Sequence, residues 1–290
     1  MKGTGLALVT PFKADFCIDF DALSNLIEHV ITGGVEYVVA LGTTGESVTL
    51  SKDEKKQVYQ FIQQQVKGRV QCVAGLGGND TAELTDYIKS FDFTGYDAVL
   101  SVSPYYNKPS QEGIYQHFMK VADASAKPII LYNVPGRTGS NMTADTTLRL
   151  AKANSKFIAV KEASGNSEQF MDLIHQAPAG FSVISGDDNL TVPFISMGMT
   201  GVISVIGQAY PKKFSNMVRA ALNNDIVTAR TLHFELYDVM KSIYLDGNPG
   251  GIKVLLNLMG ICENIVRLPL VPVNNGAFET IKKQFNETKA

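Results

Sequence analysis

Phe157-Ile158-Ala159-Val160-Lys161-Glu162-Ala163-Ser164-Gly165 is a short apolar run that ends on a lysine and passes at once into a polar, glycine-terminated segment. A bounded apolar run of this length reads as a strand buried on both faces of a parallel sheet, which puts Lys161 at the strand's carboxyl end. In parallel α/β architectures ligands bind at that end, and in a barrel the same face carries the catalytic groups. Two readings stand for such a lysine. It is a solvated cap on a buried strand, or it is an amine whose pKa desolvation lowers from about 10.4, free to attack a carbonyl carbon and form a Schiff base.

Outward from this run, seven more short β-branched stretches recur at 6–9, 37–40, 70–74, 98–102, 129–132, 182–184 and 202–205, with amphipathic segments of helical period between them. None is followed by a G-x-G-x-x-G fingerprint. Eight strand-helix units in that order predict an α/β protein, a (β/α)8 TIM barrel and not a doubly wound dinucleotide fold. Helix starts are visible at Ser51-Lys52-Asp53-Glu54 and Asp80-Thr81-Ala82-Glu83, where a capping oxygen meets a glutamate three residues on, and Gly33-Gly34 stops the first helix. Beyond residue 224 the strand signals cease. Helices are expected near 227–244, 251–258 and 275–285, so the barrel is assigned to 1–224 and a helical appendage packed on it to 225–290. The stretches Asp246-Gly247-Asn248-Pro249-Gly250-Gly251 and Arg267-Leu268-Pro269-Leu270-Val271-Pro272 read as turn and linker chemistry.

Composition narrows the function classes. A net charge of -2 over 290 residues, with 45% apolar residues, gives no basic field for nucleic acid or anionic lipid. Cys17, Cys72 and Cys262 lie far apart without CxxC spacing, arguing against a disulfide framework or a zinc site and for reduced thiols in a cytoplasmic protein. No signal peptide or membrane span is expected. Metal-dependent aldol chemistry would need converging His, Asp or Glu ligands. His29, His117, His175 and His233 all fall in predicted helices, as solvated or half-buried side chains, and Asp187-Asp188 lacks visible partners.

The loops after the strands hold the remaining chemistry. Gly42-Thr43-Thr44-Gly45-Glu46 is either a tight βα turn or a carboxylate-binding loop of amides and hydroxyls. Ser103-Pro104-Tyr105-Tyr106-Asn107-Lys108-Pro109 brackets two tyrosines that should pack against something, as an oligomer contact or as a proton donor. Arg137, in a glycine-flanked loop after Tyr132, suits a carboxylate held bidentately or a structural salt bridge. Ser185-Gly186-Asp187-Asp188 is acidic where many barrels bind phosphate, which disfavours a phosphorylated substrate. Glu162 should point to the opposite side of the strand from Lys161.

Taken in order, Gly42-Thr43-Thr44-Gly45-Glu46, Tyr132-Asn133-Val134-Pro135-Gly136-Arg137-Thr138-Gly139 and Lys161-Glu162 resemble the 4-hydroxy-tetrahydrodipicolinate synthase (dihydrodipicolinate synthase) family of pyruvate-dependent class I aldolases, within the N-acetylneuraminate lyase superfamily. The resemblance runs over almost the whole chain. It implies a lyase that joins pyruvate to L-aspartate 4-semialdehyde, the committed step of lysine and diaminopimelate biosynthesis. It implies no metal and no cofactor beyond the covalent Schiff base of pyruvate on Lys161. Thr43 and Thr44 would hold the pyruvate carboxylate, and Thr43, Tyr132 and Tyr106 would relay protons, Tyr106 reaching in from a neighbouring subunit of a homotetramer built as a dimer of dimers. Arg137 would bind the semialdehyde carboxylate, and Gly186 and Ile203 would offer backbone carbonyls to pyruvate. Ser47, Val48, Leu50, Lys52, Lys55, Asn79, Glu83 and Tyr105 match an allosteric L-lysine site. Lys55 stands where lysine-sensitive members often carry histidine, so weak inhibition is expected. N-acetylneuraminate lyase or a keto-deoxy sugar acid aldolase is the alternative within the superfamily. Those enzymes generally lack the Pro-Gly-Arg-Thr-Gly continuation. A catalytically silent binding protein would have lost the lysine or a relay tyrosine, and none is lost.

Overall fold

The computed structural model describes residues 1–288. Eight strands, β1 (Gly3–Ala7), β2 (Tyr37–Ala40), β3 (Gln71–Gly75), β4 (Ala98–Val102), β5 (Ile129–Asn133), β6 (Phe157–Glu162), β7 (Ser182–Ser185) and β8 (Gly201–Ser204), pair in parallel and in sequence order into a closed barrel. The predicted (β/α)8 architecture is therefore the observed one, and closure removes every sheet edge.

Strand ends moved from their predicted positions for side-chain reasons. β8 stops at Ser204 and not Val205, because the Val205 amide is taken by the Asp188 carboxylate at 3.2 Å. β1 begins earlier than expected, at Gly3, where glycines hide the strand signal but parallel partners exist in β2 and β8. β6 continues through Lys161 and Glu162, which pair in register with Tyr132 and Asn133 of β5. That register sets the two faces: Tyr132 and Lys161 lie side by side in the barrel, and their successors point outward.

Two buried layers hold the barrel. The lumen is filled by side chains including Ala7, Tyr37, Val39, Val73, Ala98, Ile130, Ala159, Ile184 and Ile203. Tyr37 occupies the space that Gly5 vacates, since a Cβ at Gly5 would lie 2.0 Å from its ring, and its hydroxyl donates to the Val202 carbonyl at 3.2 Å. The larger layer lies between the strands and the helices, where each fully buried aliphatic or phenylalanine side chain contributes about 1.5–3 kcal/mol.

The first helix (Phe20–Thr32) ends at Gly33, and Gly34 takes a φ of +84°. The helix Lys52–Val66 carries the expected capping box between Ser51 and Glu54. At the helix Thr81–Ser90 only half of the expected box forms. Asp80 accepts from the Ala82 and Glu83 amides, but the Glu83 carboxylate faces Lys52 at 3.9 Å. Helices Ile226–Ser242, Gly250–Leu258 and Asn275–Glu287 follow the barrel and pack on one another. His117 and His233 prove buried, not solvated; burial pushes His117 down to about 4 and also lowers His233. Among the described residues no helix is long and apolar enough to cross a membrane.

Candidate active site

The carboxyl ends of β5, β6 and β7 build the centre. Lys161 is 6% exposed, and its Nζ lies 4.4 Å from the centroid of the Tyr132 ring. Among the described residues Nζ makes no hydrogen bond or ion pair, so the solvated cap gives way to a buried amine. Gly186 belongs beside it, because a Cβ there would meet the Lys161 Cε at 3.2 Å and the Ala163 Cβ at 2.5 Å. Its amide donates to the Glu162 carbonyl at 2.7 Å. Ile203, on β8, is fully buried with its side chain in the lumen layer.

Two aspartates follow Gly186. Burial pushes Asp187 up to about 6, the Lys161 charge opposing and Asp188 adding to the rise. Asp188 is also raised by burial, and it accepts hydrogen bonds from the Val205 and Ile206 amides. Its carboxylate is thus spent on the turn after β8. Among the described residues no group of three or more His, Cys, Asp or Glu could hold a metal ion.

The other face of β5 and β6 carries a buried polar network. Glu162 does point away from Lys161, as alternation predicts, but into the protein. Asn133, Gln169 and the Ser164 amide donate to its carboxylate at 2.9–3.1 Å. Burial raises its pKa and these donors lower it. The network ties the two strand ends together directly behind the Lys161 and Tyr132 pair.

The loops over the mouth divide into buried and exposed parts. Thr44 is buried, with its Oγ1 accepting from the Asn248 amide at 3.0 Å, whereas Thr43 is exposed. Arg137 is exposed in the short helix Pro135–Thr138, and its Nη2 donates to the Asn248 carbonyl at 3.4 Å. No carboxylate pairs with Arg137 among the described residues, so the structural salt bridge is not formed. Asn248 thus joins both loops, although its segment read in sequence as a turn and nothing more. Tyr106 does not pack against the described residues of its own chain, which leaves a contact with a second copy as the way its ring would be covered. Its ring is 88% exposed and its backbone sits at φ +74°, a conformation costly for a bulky residue. Among the described residues nothing covers it.

A cavity of about 860 Å³ opens over this mouth. Its lining includes Thr43, Tyr132, Arg137 and Thr138 together with Ser47, Val48, Lys52, Lys55, Asn79, Glu83 and Tyr105. Leu50, the remaining residue of the expected allosteric set, is buried in the outer core instead. The Asn79 amide donates to the Tyr105 carbonyl at 3.2 Å. The Lys52 and Glu83 pair is solvent-exposed and of little energetic weight.

The sequence profile of the dihydrodipicolinate synthetase family matches residues 1–288. The chain belongs to this family. It is 51% identical to a 4-hydroxy-tetrahydrodipicolinate synthase of Parabacteroides distasonis over 283 residues, covering 98% of this chain and 95% of that one. Its fold superposes with a TM-score of 0.96 on a chloride-inhibited dihydrodipicolinate synthase from Acinetobacter baumannii complexed with pyruvate, at 36% identity over 99% of this chain and 98% of the other. The corresponding enzyme of Cyanidioschyzon merolae, with lysine bound, gives 0.95 at 35% identity over 99% and 98%.

Proposed function

We propose that this family member condenses pyruvate with L-aspartate 4-semialdehyde to give 4-hydroxy-tetrahydrodipicolinate, the committed step towards diaminopimelate and lysine. The observation that carries the reading is Lys161, a buried strand-end amine beside a phenol, with no hydrogen-bond acceptor among the described residues. Its lone pair attacks C2 of pyruvate, and loss of water leaves an iminium on Nζ. Loss of a C3 proton then gives an enamine, whose carbon attacks the semialdehyde. The second substrate's amine displaces Lys161 and closes the ring. No cofactor is needed, because the iminium is the electron sink.

Family resemblance and position support the remaining roles. Thr43 and Thr44 hold the pyruvate carboxylate. Gly186 and Ile203 present backbone carbonyls, and Thr43, Tyr132 and Tyr106 pass protons. An exposed Tyr106 suits a ring supplied to a second copy of the chain, in a homotetramer of paired dimers in the cytoplasm. Arg137, unpaired by any carboxylate among the described residues, takes the semialdehyde carboxylate. That assignment disfavours the sialic acid and sugar acid aldolase readings. The barrel over 1–224 and its helical appendage over 225–290 act as one catalytic unit.

The test is borohydride reduction in the presence of pyruvate, followed by peptide mass mapping. An adduct on Lys161 with loss of activity is expected, and an adduct elsewhere, or none, refutes the mechanism. Arg137→Ala should raise KM for the semialdehyde by about 10–100-fold while leaving that for pyruvate nearly unchanged. Equal changes in both constants would make Arg137 structural.

A further inference from the structure

The Thr43-Thr44 turn runs directly into Glu46, a buried carboxylate whose backbone is held in the left-handed region at φ +52°. Local hydrogen bonds to Thr43 and Thr49 hold the backbone there, but no local group pairs with the Glu46 carboxylate, so its partners must come from elsewhere. They come from the far end of the chain. Lys253, in the helix Gly250–Leu258, is fully buried and donates to the Glu46 Oε1 at 2.5 Å. The Arg267 amide donates to the Oε2 at 3.0 Å, and the Arg267 guanidinium donates to the Thr49 carbonyl at 3.1 Å. Asn248 donates to the Thr44 hydroxyl. Four hydrogen bonds from residues 248–267 therefore converge on a turn more than two hundred positions earlier in sequence.

A buried ion pair is poor evidence of stabilisation, because desolvating both charges offsets most of their attraction, and an apolar replacement of both is often neutral or stabilising. What such a pair supplies is a fixed geometry. We propose that Glu46 and Lys253 are positioning residues for the reaction: through them the C-terminal helical segment sets the orientation of the Thr43-Thr44 turn and thereby the grip on the pyruvate carboxylate. Neither touches substrate. The inference rests on the pyruvate role of Thr43 and Thr44 proposed above.

Removing Lys253 alone strands a buried carboxylate and endangers the fold, so the deciding variant is the double replacement Glu46→Leu with Lys253→Met, which removes both charges together. Glu46→Gln, which keeps the shape and its acceptor oxygen, is measured beside it. The pyruvate concentration that half-saturates borohydride trapping on Lys161 should rise about tenfold or more in the double variant and less in Glu46→Gln. KM for the semialdehyde should stay within about twofold. A double variant that melts like the wild type and traps pyruvate at the wild-type concentration overturns the proposal, as does an equal rise in both substrate constants. Failure of the wild-type chain to form any pyruvate adduct would instead overturn the reading of the site on which it rests.

Discussion

The chain buries two lysines, each against an aromatic ring, and gives them opposite fates. Lys161 lies 4.4 Å from the Tyr132 ring centroid, and Lys253 lies 4.3 Å from that of Phe12. Each side chain is withdrawn from water. The difference lies in the acceptors. Lys253 donates to the Glu46 carboxylate and to the Ile265 carbonyl at 2.7 Å, so its nitrogen is committed to the fold. Lys161 has no such partner among the described residues, and only the more distant field of Asp187 and Asp188 reaches it. Burial alone does not make a lysine reactive; burial without an acceptor leaves its nitrogen free to bond carbon.

The largest expected effect breaks the comparison on the catalytic side. Lys161→Ala should cut turnover by at least about a thousandfold while circular dichroism and melting temperature stay close to wild type, since no other group supplies the iminium. Retained turnover would show that Lys161 is not the lysine that bonds pyruvate. On the structural side, Lys253→Ala should cost about 3–5 kcal/mol in urea unfolding, because Glu46 is left buried and unpaired. A loss smaller than that of an ordinary surface substitution would mean that water reaches Glu46 and that the pair is not sealed.

The carboxylates beside the two lysines sharpen the contrast. Asp187, raised to about 6 mainly by burial, keeps its proton longer in the folded chain than in the unfolded one. The unfolded value is about 3.9, so its contribution is fully present below pH ~4 and is lost as pH rises through ~6, an effect of roughly 2–3 kcal/mol. Asp187→Asn should flatten the stability profile across that window, read from melting curves between those limits. An unchanged profile would place the titration elsewhere. The smallest effect concerns Lys55, in the lining of the cavity. L-Lysine should inhibit weakly, with half-inhibition at about millimolar concentration or above, because Lys55 repels a second ammonium. Lys55→His should strengthen it in a steady-state titration, and no change would remove the electrostatic explanation.

How much of this was legible in the sequence follows from which interactions are local. Parallel strands buried on both faces leave short apolar runs, so all eight strands and their order could be read. Their ends shifted where a distant side chain captured a backbone amide, as Asp188 does at Val205. Lys161 and Arg137 were legible because one ends a strand and the other follows one, in local patterns that already imply a barrel mouth. Asn248, Glu46 and Lys253 were not. Their partners lie about two hundred residues away, and no periodicity or cap marks such a contact. Tyr106 was legible as an unusual aromatic, but its exposure is a property of tertiary placement that the loop sequence does not record.

Tyr37 carries a kinetic consequence. By filling the lumen that Gly5 leaves open, it helps to close the barrel below Lys161 with side chains that water does not reach. The lumen side of the site is therefore sealed by packed side chains. On the roles proposed above, pyruvate on the buried Lys161 arrives first and sits deepest, and the semialdehyde on the exposed Arg137 then stands between it and solvent. Departure would then reverse arrival: an inert occupant of the outer position would hold the inner one in place, and the cyclised product would have to leave before the next pyruvate could enter.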